Sequence, residues 1–240
     1  MTATVLEFAG VAKNYGGLRP LRIADLRVDA GQRTAILGLD RPGAEVFVNL
    51  ATGATLPESG AVTVLQRDTA SITDGGDWLT TLDRVGIVSE RAVLLEQLTL
   101  VQNLAIPFTL EIEPPPPTHR VCAEALAREV DLDESTWATP LLQLDALTAM
   151  RVRLGRAVAL DPAVLLLEHA SASLTRDAAA QFAATVRSVA DVRRLAVVAL
   201  TADESFARAL GGAVLVHEPA TGRLKDSSRR WRLSLRRAKG

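Results

Sequence analysis

The sequence predicts an α/β protein whose central sheet is mostly parallel, and three features favour this class. Apolar runs typical of strands that are buried on both faces occupy 34–37, 163–167 and 195–200. Segments with a helical spacing of apolar residues lie between these runs. A loop bounded by Gly38 and Gly43 joins the first run to the first helix. Strands that alternate with helices in this way favour a parallel sheet.

Residues 4–30 predict an N-terminal antiparallel β subdomain. A first strand precedes the turn residues 15–17, and residues 21–28 alternate apolar and polar side chains, as a strand with one buried face does. Further strands are expected at 61–65, 85–88 and 214–216.

The middle of the chain, about residues 90–150, predicts a helical subdomain inserted into the α/β core. The four prolines at 114–117 should forbid helix and form a stiff extended spacer. Helices are expected at 122–130, 148–159, 176–190 and 204–210. We expect a single domain over 1–224, followed by a basic tail over 225–240.

Composition excludes several classes of site. The chain has 240 residues and a net charge of −1, so no overall charge attracts it to nucleic acid. Cys122 is the only cysteine, which rules out an intramolecular disulfide and a cysteine-based metal site. The three histidines match no metal-ligand spacing, and no apolar run reaches the length of a membrane span. We therefore expect a soluble protein of a reducing compartment.

The loop between Gly38 and Gly43 has the layout of a phosphate-binding loop, in which backbone N–H groups at a helix N-terminus hold an anion. In the phosphate-binding version, lysine and then serine or threonine follow the second glycine. Ala44 and Glu45 stand at those positions here. Two glycines alone are weak evidence of nucleotide binding, because such loops are common between a strand and a helix.

Two longer segments carry a resemblance to a known family. Residues 151–167 resemble the stretch that joins the signature motif to the Walker B strand in the nucleotide-binding domain of ATP-binding cassette (ABC) transporters. Residues 97–105 resemble the stretch after the Q-loop of that family. The resemblance covers about residues 4–220. It implies a P-loop NTPase-like core, with ATP and Mg²⁺ as the family's ligands.

The resemblance also locates the family's nucleotide site, where the residues differ from the family pattern. Tyr15 corresponds to the aromatic residue that stacks on adenine, although packing is an alternative role for it. The phosphate-loop positions are Gly38, Arg41, Gly43, Ala44, Glu45 and Val46, and the Q-loop position is Glu90. The signature positions are Leu144, Asp145, Ala146, Leu147 and Thr148. The Walker B, catalytic glutamate and switch positions are Glu168, His169 and Ala202.

These substitutions change the electrostatics of the site. A lysine is lost where a polyanion would bind, and Glu45 adds a negative charge that costs roughly 4 kcal/mol against a like charge at about 4 Å. We expect no bound metal, and no ATP or Mg²⁺ beyond what the resemblance implies. The arginines at 151, 153 and 156 are most simply expected on a solvated helix face.

Three hypotheses of function follow from the sequence. The first is a non-hydrolysing cassette that serves as the structural or regulatory partner of a membrane permease or of an active cassette. The second is an ATPase with rearranged residues, in which Arg41 replaces the lysine, Glu168 holds the metal and His169 is the base. The third is a soluble scaffold. The expected location is cytoplasmic, peripheral to the membrane, and the tail over 225–240 is a candidate for contact with anionic lipid rather than nucleic acid.

Overall fold

The computed structural model describes residues 3–227 of the chain. The strands are β1 (Thr4–Lys13), β2 (Leu21–Asp29), β3 (Arg33–Leu37), β4 (Ser59–Val64), β5 (Arg67–Asp68), β6 (Val85–Ser89), β7 (Val164–Glu168), β8 (Ala196–Thr201), β9 (Ala213–Glu218) and β10 (Arg223–Asp226). The helices are α1 (Arg41–Ala51), α2 (Gly75–Leu82), α3 (Leu100–Ala105), α4 (Pro117–Glu129), α5 (Ala146–Val158), α6 (Arg176–Arg193) and α7 (Glu204–Ala209). Short 3₁₀ helices occupy Thr69–Ser71, Glu134–Thr136 and Leu141–Gln143.

The larger sheet has six strands in the order β10-β9-β3-β8-β7-β6. Strands β9, β3, β8, β7 and β6 pair in parallel, and β10 is an antiparallel edge strand. Every residue of β7 and of β8 is buried, as the continuous apolar runs predict. The predicted α/β fold with a mostly parallel sheet is therefore confirmed.

The second sheet is antiparallel and has the order β2-β1-β4-β5. Phe8 of β1 lies opposite Leu26 of β2 and Val62 of β4, and its side chain is fully buried. Gly60 approaches the backbone of Gly10 so closely that a Cβ would lie 2.4 Å from its carbonyl, which leaves no room for a side chain. The predicted N-terminal β subdomain is present.

The two faces of the parallel sheet are covered by different layers, and alternation along each strand divides the core between them. Leu165 and Leu167 of β7 face a cluster built with α3, α4, α5 and α6. Leu166 faces a cluster that includes α1 and the antiparallel sheet. In that second cluster Phe47 of α1 stacks on Phe8, with ring centroids 4.5 Å apart. The antiparallel sheet and α1 thus pack as one layer beside the start of the glycine-bounded loop.

Two local predictions need correction. The proline run does not exclude helix to its end, because Pro117 is the first residue of α4 and a first helical turn needs no N–H from that position. Helix α4 consequently begins five residues before Cys122, the expected start. Lys225, which we assigned to the tail, pairs with Val216 in the β10–β9 ladder. Asp226 pairs with Leu215 in the same ladder, and residues 228–240 of the proposed tail lie outside the described residues. The division into domains stays a prediction.

No helix within residues 3–227 combines the length and the apolar character that crossing a bilayer requires.

Candidate functional site

The glycine-bounded loop is shorter than its sequence pattern suggests. Strand β3 ends at Leu37, Gly38 has a φ of +94°, and α1 already begins at Arg41. Gly43, which should close the loop, is buried within the first turn of the helix. Only three residues, 38–40, therefore separate the strand from the helix.

The first turn of α1 is closed by groups of the chain itself. Asp40 is the N-cap, and its carboxylate accepts the Gly43 N–H at 2.8 Å. The Ala44 N–H donates to the Asp40 carbonyl at 2.9 Å, and Pro42 has no N–H to offer. Of the N–H groups in this first turn that could cradle a phosphate, those of Gly43 and Ala44 are thus already bonded and that of Pro42 is missing. A carboxylate already interacts with the positive end of this helix.

The three residues after Gly43 differ in environment: two contact the hydrophobic core and one is half-exposed. Ala44, at the family's lysine position, is fully buried in the cluster beneath α1. Val46 packs partly against the same cluster. Glu45 is half-exposed and forms an ion pair with Arg91. An early helix start therefore sends the lysine-equivalent side chain into the core.

Arg91 connects the first helix to the end of β7. Its guanidinium lies 2.7 Å from a Glu45 carboxylate oxygen and 2.7 Å from a Glu168 carboxylate oxygen. Glu168 is only 6% exposed, and within residues 3–227 Arg91 is the one cation that pairs with its buried charge. The hydrogen bond to Glu168 raises the pKa of Arg91, burial opposes this rise, and the negative charges of Glu168 and Glu45 add to it.

These residues line a cleft of about 260 Å³ at the carboxyl ends of the parallel strands. Its lining consists of Arg41, Pro42, Glu45, Ser89, Glu90, Arg91, Glu168 and His169. Glu90, the Q-loop position, approaches Arg41 at 3.7 Å, and its other carboxylate oxygen is buried without a hydrogen bond. The structure therefore brings together the phosphate-loop, Q-loop and Walker B positions that the sequence comparison singled out.

His169 and Ala202 complete the cleft side of the sheet. His169 follows β7 with a left-handed φ of +46°, and its N–H donates to the Leu200 carbonyl at 2.8 Å. Its Nε2 atom is buried and has no hydrogen-bond partner within residues 3–227. Ala202 is exposed after β8, and the next residue, Asp203, caps α7 through the N–H groups of Ser205 and Phe206.

Tyr15 lies on the other side of the glycine-bounded loop. It lines a cleft of about 440 Å³ together with Gly38, Leu39, Asp40 and His217. Tyr15 is partly buried and packs against the cluster beneath α1, as its alternative packing role predicts. Burial raises the pKa of the Tyr15 phenol, and the negative charge of Asp40 raises it further. An adenine-stacking role for this side chain stays a prediction.

The signature positions form the start of α5 and line neither cleft. Asp145 is the N-cap of α5, and its carboxylate accepts the Thr148 N–H at 2.7 Å. This hydrogen bond holds the pKa of the Asp145 carboxyl below its usual range. Leu144 and Leu147 are partly buried against the core, and Ala146 is exposed. A second helix N-terminus is therefore also capped by a carboxylate.

The arginines of α5 are not on a solvated face, so that expectation was wrong. Arg151 forms an ion pair with Asp131. Arg153 donates to the Ala92 carbonyl at 3.2 Å, and Arg156 donates to the Val93 carbonyl at 2.7 Å. Burial lowers the pKa of both Arg153 and Arg156. A helix face that is polar in sequence therefore packs against a loop.

The side chains around the first cleft do not fit a magnesium triphosphate. Asp40 and Glu45 bring negative charge to the place where the resemblance puts phosphates, and Ala44 offers no cation. The carboxylate of Glu168 is engaged by Arg91 rather than free to bind a metal. In the described part of the chain, no three His, Cys, Asp or Glu side chains converge as a metal site requires.

Sequence reasoning missed the partners that fill this site. Arg91 carries no pattern of its own, and it meets Glu168 across 77 residues of chain. The helix start at Arg41 had a signal, because Asp before a helical pattern with Pro in its first turn marks an N-terminus. That signal competes with the glycine spacing, which suggests a longer loop.

The fold and the sequence are both similar to ATP-binding cassettes. The chain superposes on cbiO1 of Clostridium perfringens, part of the ABC transporter complex cbiONQ, with a TM-score of 0.76, 18% identity, and coverage of 92% of this chain and 86% of that one. It superposes on the ATP-binding cassette MJ0796 bound to ADP and Pi with a TM-score of 0.72, 20% identity, and coverage of 91% and 96%. The fold is therefore that of an ABC ATPase cassette, with the P-loop NTPase-like core that the sequence predicts.

Sequence comparison gives relatives with the same type of description. The methionine import ATP-binding protein MetN of Leifsonia xyli is 29% identical over 219 residues, which is 90% of this chain and 64% of the relative. The Fe(3+) ions import ATP-binding protein FbpC of Serratia marcescens is 28% identical over 214 residues, which is 89% and 60% of the two chains. The chain thus spans less than two thirds of the length of these relatives. No protein-family model matches it. The resemblance to an ABC transporter ATP-binding domain is supported by both comparisons.

Proposed function

We propose that the chain is the cassette subunit of an ABC-type transport system and that it acts structurally, without hydrolysing ATP. One observation carries this proposal: the chain fills its own nucleotide site. Asp40 caps the helix that would hold phosphate, and Arg91 engages the two carboxylates of Glu45 and Glu168. A triphosphate would have to displace these contacts and then lie beside uncompensated carboxylates.

The partner that we propose is a membrane permease, and an active cassette bound to the same permease could be a second partner. A groove of about 220 Å³ lies next to the first cleft and is lined by Ile87, Ala92, Ile106, Pro107, Arg153, Arg156 and Ala157. In the family that the chain resembles, a groove beside the Q-loop receives a coupling helix of the permease. Its apolar floor suits such a helix, and the protein would then lie on the cytoplasmic side of the membrane.

The test is a titration of ATP and Mg²⁺ into the purified chain, followed by thermal unfolding. Ligand at 100 times its dissociation constant stabilises a protein by about 2.7 kcal/mol, which shifts the melting temperature clearly. We expect no shift at low-millimolar ATP, whereas a hydrolysing cassette measured in the same buffer should shift. A clear shift of this chain would contradict the proposal.

A second candidate is an ATPase with rearranged residues, and His169 is the observation in its favour. His169 lines the same cleft as Arg41 and Glu168, and its Nε2 has no hydrogen-bond partner in the part of the chain that the structure describes. This candidate requires phosphate release from ATP by the wild-type chain and its loss in His169→Ala. Arg41→Ala should abolish the same activity. Equal background release by all three proteins would exclude it.

A third candidate is a soluble scaffold, for which co-purification without any permease would be the supporting result.

The basic tail is a separate proposal, since seven basic residues lie between Lys225 and Gly240. Each basic residue near an anionic membrane contributes about 1 kcal/mol of attraction. The fraction of the protein that sediments with anionic vesicles should fall when residues 228–240 are deleted. Equal sedimentation at low salt would contradict a membrane role for the tail.

A further inference from the structure

The loop between β6 and α3, residues 90–99, lies between the first cleft and the groove. Glu90 and Arg91 line the cleft, and Ala92 lines the groove. Consecutive residues of one short segment therefore belong to both surfaces. A change in the backbone of residues 90–94 would alter the cleft and the groove together.

The two halves of this loop are fixed by different contacts. In the second half, the fully buried side chain of Asn103 accepts the Leu95 N–H and donates to the carbonyls of Leu95, Leu98 and Thr99. This half also has backbone hydrogen bonds to residues 141 and 142. It is therefore held by buried and local contacts.

In the first half, residues 90–94, Leu94 packs against the core cluster, and the residues before it are held by arginine side chains. Arg91 connects this half to α1 and β7 through Glu45 and Glu168. Arg153 and Arg156 hold its other side through the carbonyls of Ala92 and Val93. The N–H groups of Arg91 and Ala92 donate to the side chain and the carbonyl of Ser89, which ties the start of this half to the end of β6.

We infer that Arg91 is a positioning residue that holds residues 90–94, and with them the wall of the groove, in one conformation without any ligand. The buried carboxylate of Glu168 gives this ion pair its strength, because Glu168 loses the one cation that pairs with it among residues 3–227 if the loop moves away. The guanidinium geometry matters, since its separate nitrogens reach two carboxylates at once. Only the identity of the partner in the groove rests on the proposed function.

Hydrogen exchange of the intact chain without nucleotide tests this inference. In Arg91→Met we expect the amides of residues 91 and 92 to exchange about tenfold faster, which corresponds to about 1.4 kcal/mol of local opening free energy. Peptides from β3 and from the antiparallel sheet should keep their wild-type exchange. In Arg91→Lys the rate should lie between the two, because one ammonium replaces a two-sided guanidinium contact.

Arg120→Met is the matched control. It removes an exposed ion pair with Glu124 within one helix, and it should leave exchange at 91 and 92 unchanged. If Arg91→Met does not fold because Glu168 is left unpaired, the double variant Arg91→Met with Glu168→Gln removes that charge. We expect the double variant to fold and still show the faster local exchange.

Wild-type exchange at residues 91 and 92 in either Arg91 variant would overturn the inference. A uniform increase across the whole chain in the double variant would also overturn it, because the role of Arg91 would then be global stability. ATP binding by the wild-type chain would contradict the proposed function, yet it would leave this local result intact. The two failures are therefore distinguishable.

Discussion

At the scale of single residues, aspartates cap three helices that begin at or next to positions of the family's phosphate loop, signature and switch. Asp40 caps α1, Asp145 caps α5, and Asp203 caps α7. A capping carboxylate satisfies N–H groups that would otherwise need another acceptor, and it interacts favourably with the helix dipole. These residues stabilise their helices, and the same charges disfavour an incoming phosphate.

The titration of Tyr15 gives a prediction at this scale. Tyr15 is the only tyrosine of the chain, so absorbance near 295 nm follows a single phenol. We expect its pKa to lie above the ordinary value of about 10, because burial and Asp40 both raise it. Asp40→Asn should lower the pKa only in part, since burial is the larger cause and asparagine still caps the helix. A wild-type pKa at or below the ordinary value would contradict this assignment.

The cap of α5 gives a second prediction at this scale. Its hydrogen bond to Thr148 lowers the pKa of Asp145 in the folded state, so ionised Asp145 stabilises the fold. That contribution is fully present above the unfolded pKa of about 4 and is lost as pH falls through the folded pKa. Asp145→Ala should lower the free energy of unfolding, measured in urea at pH 7, by about 1 kcal/mol. The difference from wild type should shrink below about pH 4.

Asp25→Ala is the control for this measurement, because it removes an exposed carboxylate of β2 that caps no helix. Its effect on unfolding should stay within about 0.5 kcal/mol. A loss in Asp145→Ala that is the same at pH 7 and at pH 3 would contradict the role of the charge.

At the scale of elements, the position at which α1 begins decides the chemistry of the loop. The helix starts at Arg41, so Gly43 and Ala44 belong to its first turns and face the core. The same residues in a longer loop would present their N–H groups to solvent. A shift of a helix start by a few residues thus converts a possible anion site into a packed helix end.

A lysine introduced at position 44 should therefore not restore ATP binding. We expect Ala44→Lys to bind no ATP, because the side chain enters the packed cluster beneath α1. Overpacking should cost about 1–3 kcal/mol in urea unfolding. Arg41→Lys, at an exposed position of the same helix, should stay within about 0.5 kcal/mol of wild type. If calorimetry detected ATP binding to Ala44→Lys but not to the wild-type chain or to Arg41→Lys, the start of α1 at Arg41 would not be what blocks the site.

At the scale of the whole molecule, the architecture keeps the layers of an ABC cassette although individual positions differ. The parallel sheet places the ends of β6 and β7 side by side, which brings Glu90 and Glu168 to one cleft. Helix α5 lies against β6, where Gly86 leaves no room for a Cβ because the Ala157 carbonyl would be 2.5 Å away. The scaffold therefore depends on core packing, which tolerates changes in the site.

Self-association provides the prediction for the whole molecule. In the family, two cassettes face each other with nucleotide between them, and the signature of one contacts the nucleotide of the other. With Asp145 capping α5 and Asp40 capping α1, we expect ATP to cause no dimer. Sedimentation velocity with and without ATP and Mg²⁺ should give the same distribution. An ATP-dependent dimer would refute this expectation, whereas a constitutive dimer would be compatible with it.

The sequence by itself determined the fold class and the type of residue at each site position. Apolar runs such as residues 163–167 and 195–200 indicate buried strands, because both faces of a parallel sheet exclude water. Only the tertiary structure decided between the two signals for the start of α1, and only it showed that Ala44 is buried and that Arg91 joins Glu45 to Glu168. Local periodicity carries no information about a partner 77 residues away, since that contact exists only after the strands and helices have packed.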